Sequence, residues 1–239
     1  MQDALYWIMT LVKNDKPPTC RLARELAIQR AGFDFVIGAD EVGRGPLAGP
    51  VVAGAVAILD PFAADSDFCE LLVGVDDSKR LSPLRRTQLY AKLTRHPVVA
   101  WGVAAVTPAV IDRINILQAS RLAMKRAIQN LARRHGLDMG LQNTFCFIDG
   151  NTPLKIGYHQ ETVIGGDREI FSISAASIIA KVTRDRTMAR LEKIYPGYGF
   201  YRHKGYGTKI HLEALARLGP CRIHRKSFAP VLACGGNCR

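Results

Sequence analysis

Five short runs with strand character, at residues 35–39, 51–59, 98–106, 144–148 and 161–164, constrain this chain more than any other feature. The first three are rich in Val, Ile and Ala, and each of the five closes on an acid, a glycine or a proline. Helical segments stand between and after them. Ser82-Pro83 pairs an N-cap residue with proline at the first helical position, predicting a helix to Arg95, and Thr107-Pro108 repeats the device. Beyond it Ile114, Leu117, Ser120, Met124, Ile128 and Leu131 recur every three or four residues, predicting one core-facing stripe before His135-Gly136 ends the helix. Further helices are expected over 20–30, 174–194 and 209–218, with 60–81 as a polar connection and 195–208 as an aromatic, glycine-rich, basic loop. Strands alternating with helices read as α/β.

Size and charge narrow the function. A chain of 239 residues supports one substantial domain, and 48% hydrophobic with 23% charged residues excludes a disordered chain. The net charge of +12 makes nucleic acid the leading partner, since a basic surface concentrates polyanions. Six cysteines without C-x-x-C spacing read as reduced thiols of a cytoplasmic protein, and Cys234 with Cys238 as an inert tail rather than a soft-metal site. No run reaches the 18 apolar residues of a membrane span, and the apolar segment 4–12, preceded by Asp3, is expected to be a packing helix rather than a signal. Pro17-Pro18 separates it from the next helix.

Asp40, Glu41, Asp149 and Asp167 each follow a strand-like run beside glycine. One such acid is usually a turn former. Acids delivered from several strands to one sheet edge suit a different task, the hydrolysis of a phosphodiester with two hard cations that take oxygen ligands. Spacing alone does not bring them together, because they are far apart in sequence.

The motifs that surround these acids resemble ribonuclease HII. They are Asp40-Glu41-Val42-Gly43-Arg44-Gly45-Pro46, Asp77-Ser78-Lys79-Arg80-Leu81-Ser82, Ile148-Asp149-Gly150-Asn151, Gly166-Asp167 with 174–185, and Tyr198-Gly199-Phe200 with 203–208, in the family's order. The resemblance implies a ribonuclease H-like fold, a central mixed β-sheet flanked by helices with a helical C-terminal part. It divides the chain into an extension at 1–33, a catalytic core at 34–200 and a substrate-contacting segment with tail at 201–239. It also implies hydrolysis of the RNA strand of RNA/DNA hybrids and cleavage 5′ to single ribonucleotides in duplex DNA, leaving 3′-hydroxyl and 5′-phosphate ends, by a single chain.

On that resemblance Asp40, Glu41, Asp149 and Asp167 are the metal ligands for two Mn2+ or Mg2+ ions, with Asp40 shared between them. Gly43, Arg44 and Gly45 sense the ribose 2′-hydroxyl, the group that separates RNA from DNA. Tyr206 packs on the neighbouring sugar, and Ser78, Lys79, Lys181, His203 and Lys204 contact phosphates. Asp185 is read as an alternative structural partner for a base. Gly165 departs from the pattern, standing where relatives carry lysine, so one basic contact is expected to be missing. The competing reading is a non-catalytic basic nucleic-acid binder, which would bind in a salt-sensitive way without turnover.

Overall fold

The computed structural model describes residues 22–60 and 66–235. The expected helix at 4–12, Cys20 and Cys238 lie outside them, while no two of the described cysteines are joined in a disulfide. In chain order the elements are α1 (Ala23–Arg30), β1 (Phe35–Val42), β2 (Val51–Ile58), α2 (Ser66–Gly74), α3 (Pro83–Arg95), β3 (Val99–Val106), α4 (Pro108–His135), β4 (Thr144–Asp149), β5 (His159–Val163), a 3-10 turn (Gly166–Arg168), α5 (Phe171–Ile194), α6 (Phe200–His203), α7 (Lys209–Leu218) and α8 (Ala229–Gly235).

The five strands form one mixed sheet in the order β3-β2-β1-β4-β5. The β1–β2 and β2–β3 pairs are antiparallel, whereas β1–β4 and β4–β5 are parallel. All eight residues of β2 are buried, because helices cover both of its faces. Ile37 and Ala39 of β1 join Ala123, Ala127 and Leu131 of α4 in one core cluster. Their neighbours Val36 and Gly38 point the opposite way, towards α5. α5 lies close because the sheet offers it no side chain at two places: a Cβ on Gly38 would stand 2.3 Å from Ile173 N, and one on Gly54 2.3 Å from Ala176 O. The N-terminal helix docks on the same unit, with the buried Glu25 carboxylate accepting from Ser172 N and Ser172 Oγ at 2.9 Å each.

The helix starts at Ser82 and Thr208 are capped as their residue types dictate, each side-chain oxygen accepting a first-turn N–H. Four expectations need correction. The connection 60–81 contains α2, whose Phe68, Leu71, Leu72 and following Val75 are buried at helical spacing among the charges that hid it. Leu117 is 40% exposed rather than in the core stripe. Asn115 has φ +64 and breaks α4, its Oδ1 recapping the helix at Gln118 N, so the spacing loses phase there. α5 begins at Phe171 rather than 174, and the stretches read as loop and tail contain α6 and α8. Finally, β1 and β4 run on to include Asp40, Glu41 and Asp149 instead of stopping before them.

Candidate active site

That last extension places the acids. Parallel pairing of Ala39 with Ile148 makes Asp40 and Asp149 neighbours at the carboxyl ends of β1 and β4. The pleat turns both to the α5 face and sends Glu41 to the other. Asp40 is 6% exposed and lies beside Asp149, so the two carboxyl groups compete for the same poorly solvated space. Ser177 of α5 hydrogen-bonds Asp40 and shares a hydroxyl–hydroxyl hydrogen bond of 2.9 Å with Ser78. Burial first, then the charges of Glu41 and Asp149, holds the Asp40 carboxyl well above the usual range. Burial raises Asp149 as well, against the hydrogen bond from Gly166 N at 2.9 Å. Glu41 is raised by burial despite Arg44, whose Nη1 lies 3.3 Å away.

Asp167 arrives differently. It sits in the 3-10 turn after β5 rather than at a strand end, and Ser174 Oγ pins its carbonyl at 2.7 Å. Its carboxylate faces Lys79 Nζ at 3.5 Å. Partial burial works against the Lys79 charge, yet Asp167, Asp77 and Asp40 outweigh it and raise the pKa. Asp77 serves its own loop, accepting from Lys79 N at 2.9 Å and facing Arg168.

Among the described residues no three Asp, Glu, His or Cys side chains stand ready arranged around one point as a metal site. Asp40 and Asp149 instead lie side by side with raised pKa values, while Asp167 and Glu41 lean on Lys79 and Arg44. The donor set suits a hard divalent cation, being all oxygen, buried and short of positive charge. Burial raises the carboxyl pKa values of Asp40, Glu41 and Asp149, and a bound cation would offset that cost.

The turn after β1 has Gly43 at φ +92, a conformation reserved in practice for glycine. A Cβ there would also sit 2.1 Å from Arg184 Nε, and one on Gly45 would stand 3.8 Å from the Tyr206 ring. Tyr206 is 43% exposed beside that turn. The other residues expected at phosphates are placed unequally. Lys79 is solvent-facing. Lys181 pairs with Asp185 at 2.9 Å, the structural partnership read as an alternative, and Lys204 Nζ donates to Tyr201 O at 2.5 Å. Ser78 is buried against Ser177, so its hydroxyl supports Asp40. His203 is buried with Nε2 on Tyr198 O and Nδ1 accepting from Gly205 N, which leaves the ring no free nitrogen. Gly165, the departure from the pattern, has φ +70.

The C-terminal part carries a buried imidazole chain. His224 Nδ1 accepts from Cys221 N at 3.0 Å, which makes its Nε2 the donor to His211 Nε2 at 3.1 Å, and His211 Nδ1 the donor to Tyr206 O at 2.9 Å. Burial, with His211 beside it, pushes the His224 ring down to about 4. The unfolded chain takes up that proton near pH 6.5. Stability present above pH 6.5 is therefore lost as pH falls towards 4, by about 3 kcal/mol. Denaturant titrations at pH 7 and pH 4.5 will show a larger loss for the native protein than for His224→Gln.

A family model described as Ribonuclease HII matches residues 37–231, which include the sheet, the four acids, the glycine turn and Tyr206. The chain belongs to the ribonuclease HII family. It is similar to the ribonuclease HII of Bradyrhizobium sp. strain BTAi1, being 49% identical over 219 residues that make up 91% of this chain and 68% of that one. Its fold is similar to that of the ribonuclease H2 from Pyrococcus horikoshii OT3, with 27% identity, a TM-score of 0.63, and coverage of 84% of this chain and 97% of that chain. Bst-RNase HIII in complex with Mn2+ shares the fold at 21% identity and a TM-score of 0.67, over 88% of this chain and 73% of that one. As a ribonuclease HII this chain is a phosphodiester endonuclease with a ribonuclease H-like fold.

Several residues that build the site escaped the sequence reading. Ser177 looked like one small residue of a close-packed helix, and no local signal marked it as a hydrogen-bond partner of Asp40. Arg184 and Arg225 are fully buried although each sits in a charged stretch of the kind that normally faces water. His211 and His224 become partners only in the folded chain.

Proposed function

We propose that this ribonuclease HII hydrolyses the RNA strand of RNA/DNA hybrids and cuts 5′ to a single ribonucleotide in duplex DNA, leaving 3′-hydroxyl and 5′-phosphate ends. The observation that carries the reading is the buried Asp40–Asp149 pair, next to a glycine turn that lies beside Tyr206. Asp40, Glu41, Asp149 and Asp167 would hold two divalent cations, Mn2+ or Mg2+, with Asp40 shared. When bound, such ions neutralise charge on the scissile phosphate and activate water. The carboxylates bind and orient, and no side-chain nucleophile is required. The Mn2+ of the Bst-RNase HIII complex is a property of that protein and supports the assignment.

Substrate choice would rest on backbone. At Gly45 no Cβ keeps the main chain away from a 2′-hydroxyl, and Tyr206 offers its exposed ring to the adjacent sugar. Lys79, whose Nζ faces Asp167 at 3.5 Å, is suited to a flanking phosphate. The reading takes one chain as the working unit in the cytoplasm. No helix among the described residues is long and apolar enough to cross a membrane.

The test is cleavage mapping on two substrates, a continuous hybrid and a duplex with one ribonucleotide. Cutting that needs Mn2+ or Mg2+, stops with chelator and falls on the 5′ side of the ribonucleotide is the expected result. Chelator-resistant cutting, or cutting of all-DNA duplex at the same rate, would sink the proposal.

A further inference from the structure

The glycine turn is shaped from behind by the C-terminal segment. Gly49 N donates to Ile223 O and Arg225 N to Leu47 O, both at 2.8 Å, with an antiparallel bridge between Ala48 and His224. This lacing buries Arg225 completely. Its guanidinium then donates to three backbone carbonyls, Nη2 to Gly43 O at 2.5 Å, Nη1 to Arg44 O at 2.7 Å and Nε to Gly49 O at 3.1 Å. Its neighbour His224 starts the imidazole relay that ends on the Tyr206 carbonyl. Two consecutive residues therefore hold both the turn and the tyrosine.

Fold stability is a weak reason for this arrangement. Arg184 lies close by, also fully buried, donating to Pro50 O at 3.0 Å and Ala48 O at 3.3 Å, with Nη1 unpartnered among the described residues. Two like charges buried together with carbonyls as their acceptors cost more than well-packed apolar side chains would. What the guanidinium supplies is orientation. Gly43 C=O and Arg44 N–H belong to one peptide plane, and Arg44 C=O and Gly45 N–H to the next. In a trans peptide the N–H points opposite the C=O. Tying both carbonyls inward to a cation turns both N–H groups away from it, and the polarised peptides donate more strongly.

We propose that Arg225 is a positioning residue for ribose discrimination, fixing the Arg44 and Gly45 N–H groups to meet the 2′-hydroxyl oxygen while His224 fixes Tyr206. The inference rests on the reading that this turn faces the ribose. Arg225 touches no substrate. Asp112 of α4 secures the segment from outside, its carboxylate accepting from Lys226 N at 3.0 Å, Ser227 N at 2.9 Å and Ser227 Oγ at 2.7 Å.

The experiment measures the affinity of the full chain for a duplex bearing one ribonucleotide and for the same duplex in all-DNA form, with chelator present to prevent cutting. Native protein is expected to prefer the ribonucleotide. Arg225→Lys keeps the charge but loses the fork, and should reduce that preference about tenfold, leaving all-DNA affinity within about twofold. Asp112→Ala, at the half-buried edge, should shift the preference the same way by a smaller factor, and it decides the matter if Arg225→Lys melts. An unchanged preference in folded variants, or equal loss on both duplexes, overturns the positioning role. A native protein that neither prefers nor cuts the ribonucleotide duplex overturns instead the ribose reading beneath it.

Discussion

If Asp40 holds the cations as proposed, Asp40→Asn will lower cleavage by about a thousandfold or more, because losing a ligand shared between them would remove several kcal/mol of transition-state stabilisation at 1.36 kcal/mol per tenfold. Initial rates on a ribonucleotide-bearing duplex at saturating Mn2+ check it. A variant within tenfold of native activity would remove Asp40 from the chemistry. The same substitution has a second signature. Asp40 is buried against Asp149 and Glu41 with a raised pKa, so the metal-free folded state binds a proton that the unfolded chain releases near pH 4. Metal-free stability therefore falls as pH rises from about 4 through the folded value. The asparagine variant loses this slope and at pH 7 is more stable than the native chain without metal, while gaining less from added Mn2+. Melting with and without chelator at pH 5 and pH 7 separates the two proteins.

Gly38→Ala will destabilise the fold by at least about 3 kcal/mol and lower the melting temperature by roughly 10 °C. The new methyl would stand 2.3 Å from both Ile173 N and Ser172 C, backbone atoms that cannot swing aside as the end of a side chain could. α5 must retreat from β1. Because Ser177 on α5 hydrogen-bonds Asp40 two residues along β1, activity should fall further than the loss of folded protein explains. Gly136→Ala is the control. Gly136 has φ +62 with nothing within 4 Å of the added atom, so only the backbone cost of about 1 kcal/mol applies. Equal effects at the two positions would refute the close-packing account.

Much of this architecture was legible because its signals are local. Ser82-Pro83 and Thr107-Pro108 marked two helix starts, and apolar runs marked all five strands, since capping and burial act on neighbouring residues. The misreadings have local causes too. Charges masked α2, and Asn115 threw Leu117 out of phase. At the candidate site, Asp40, Glu41, Asp149 and Asp167 were found from strand-like runs beside glycine and from the resemblance. Ser78 and His203 show the limit of that route, because each hydrogen-bonds inward from a motif that suggested contact with substrate.

The sequence by itself determined the strands and the longer helices, the cluster of motifs and the family, since these depend on residue identity and short spacing. Only the tertiary structure decided which acids touch. Register between β1 and β4 set Asp40 beside Asp149, the pleat sent Glu41 to the other face, and a turn after β5 aimed Asp167 at Lys79. It also decided that Arg184 and Arg225 lie beneath the glycine turn rather than in solvent. These placements join residues 88 or more positions apart, and no local pattern encodes a hydrogen bond whose partner is supplied by folding.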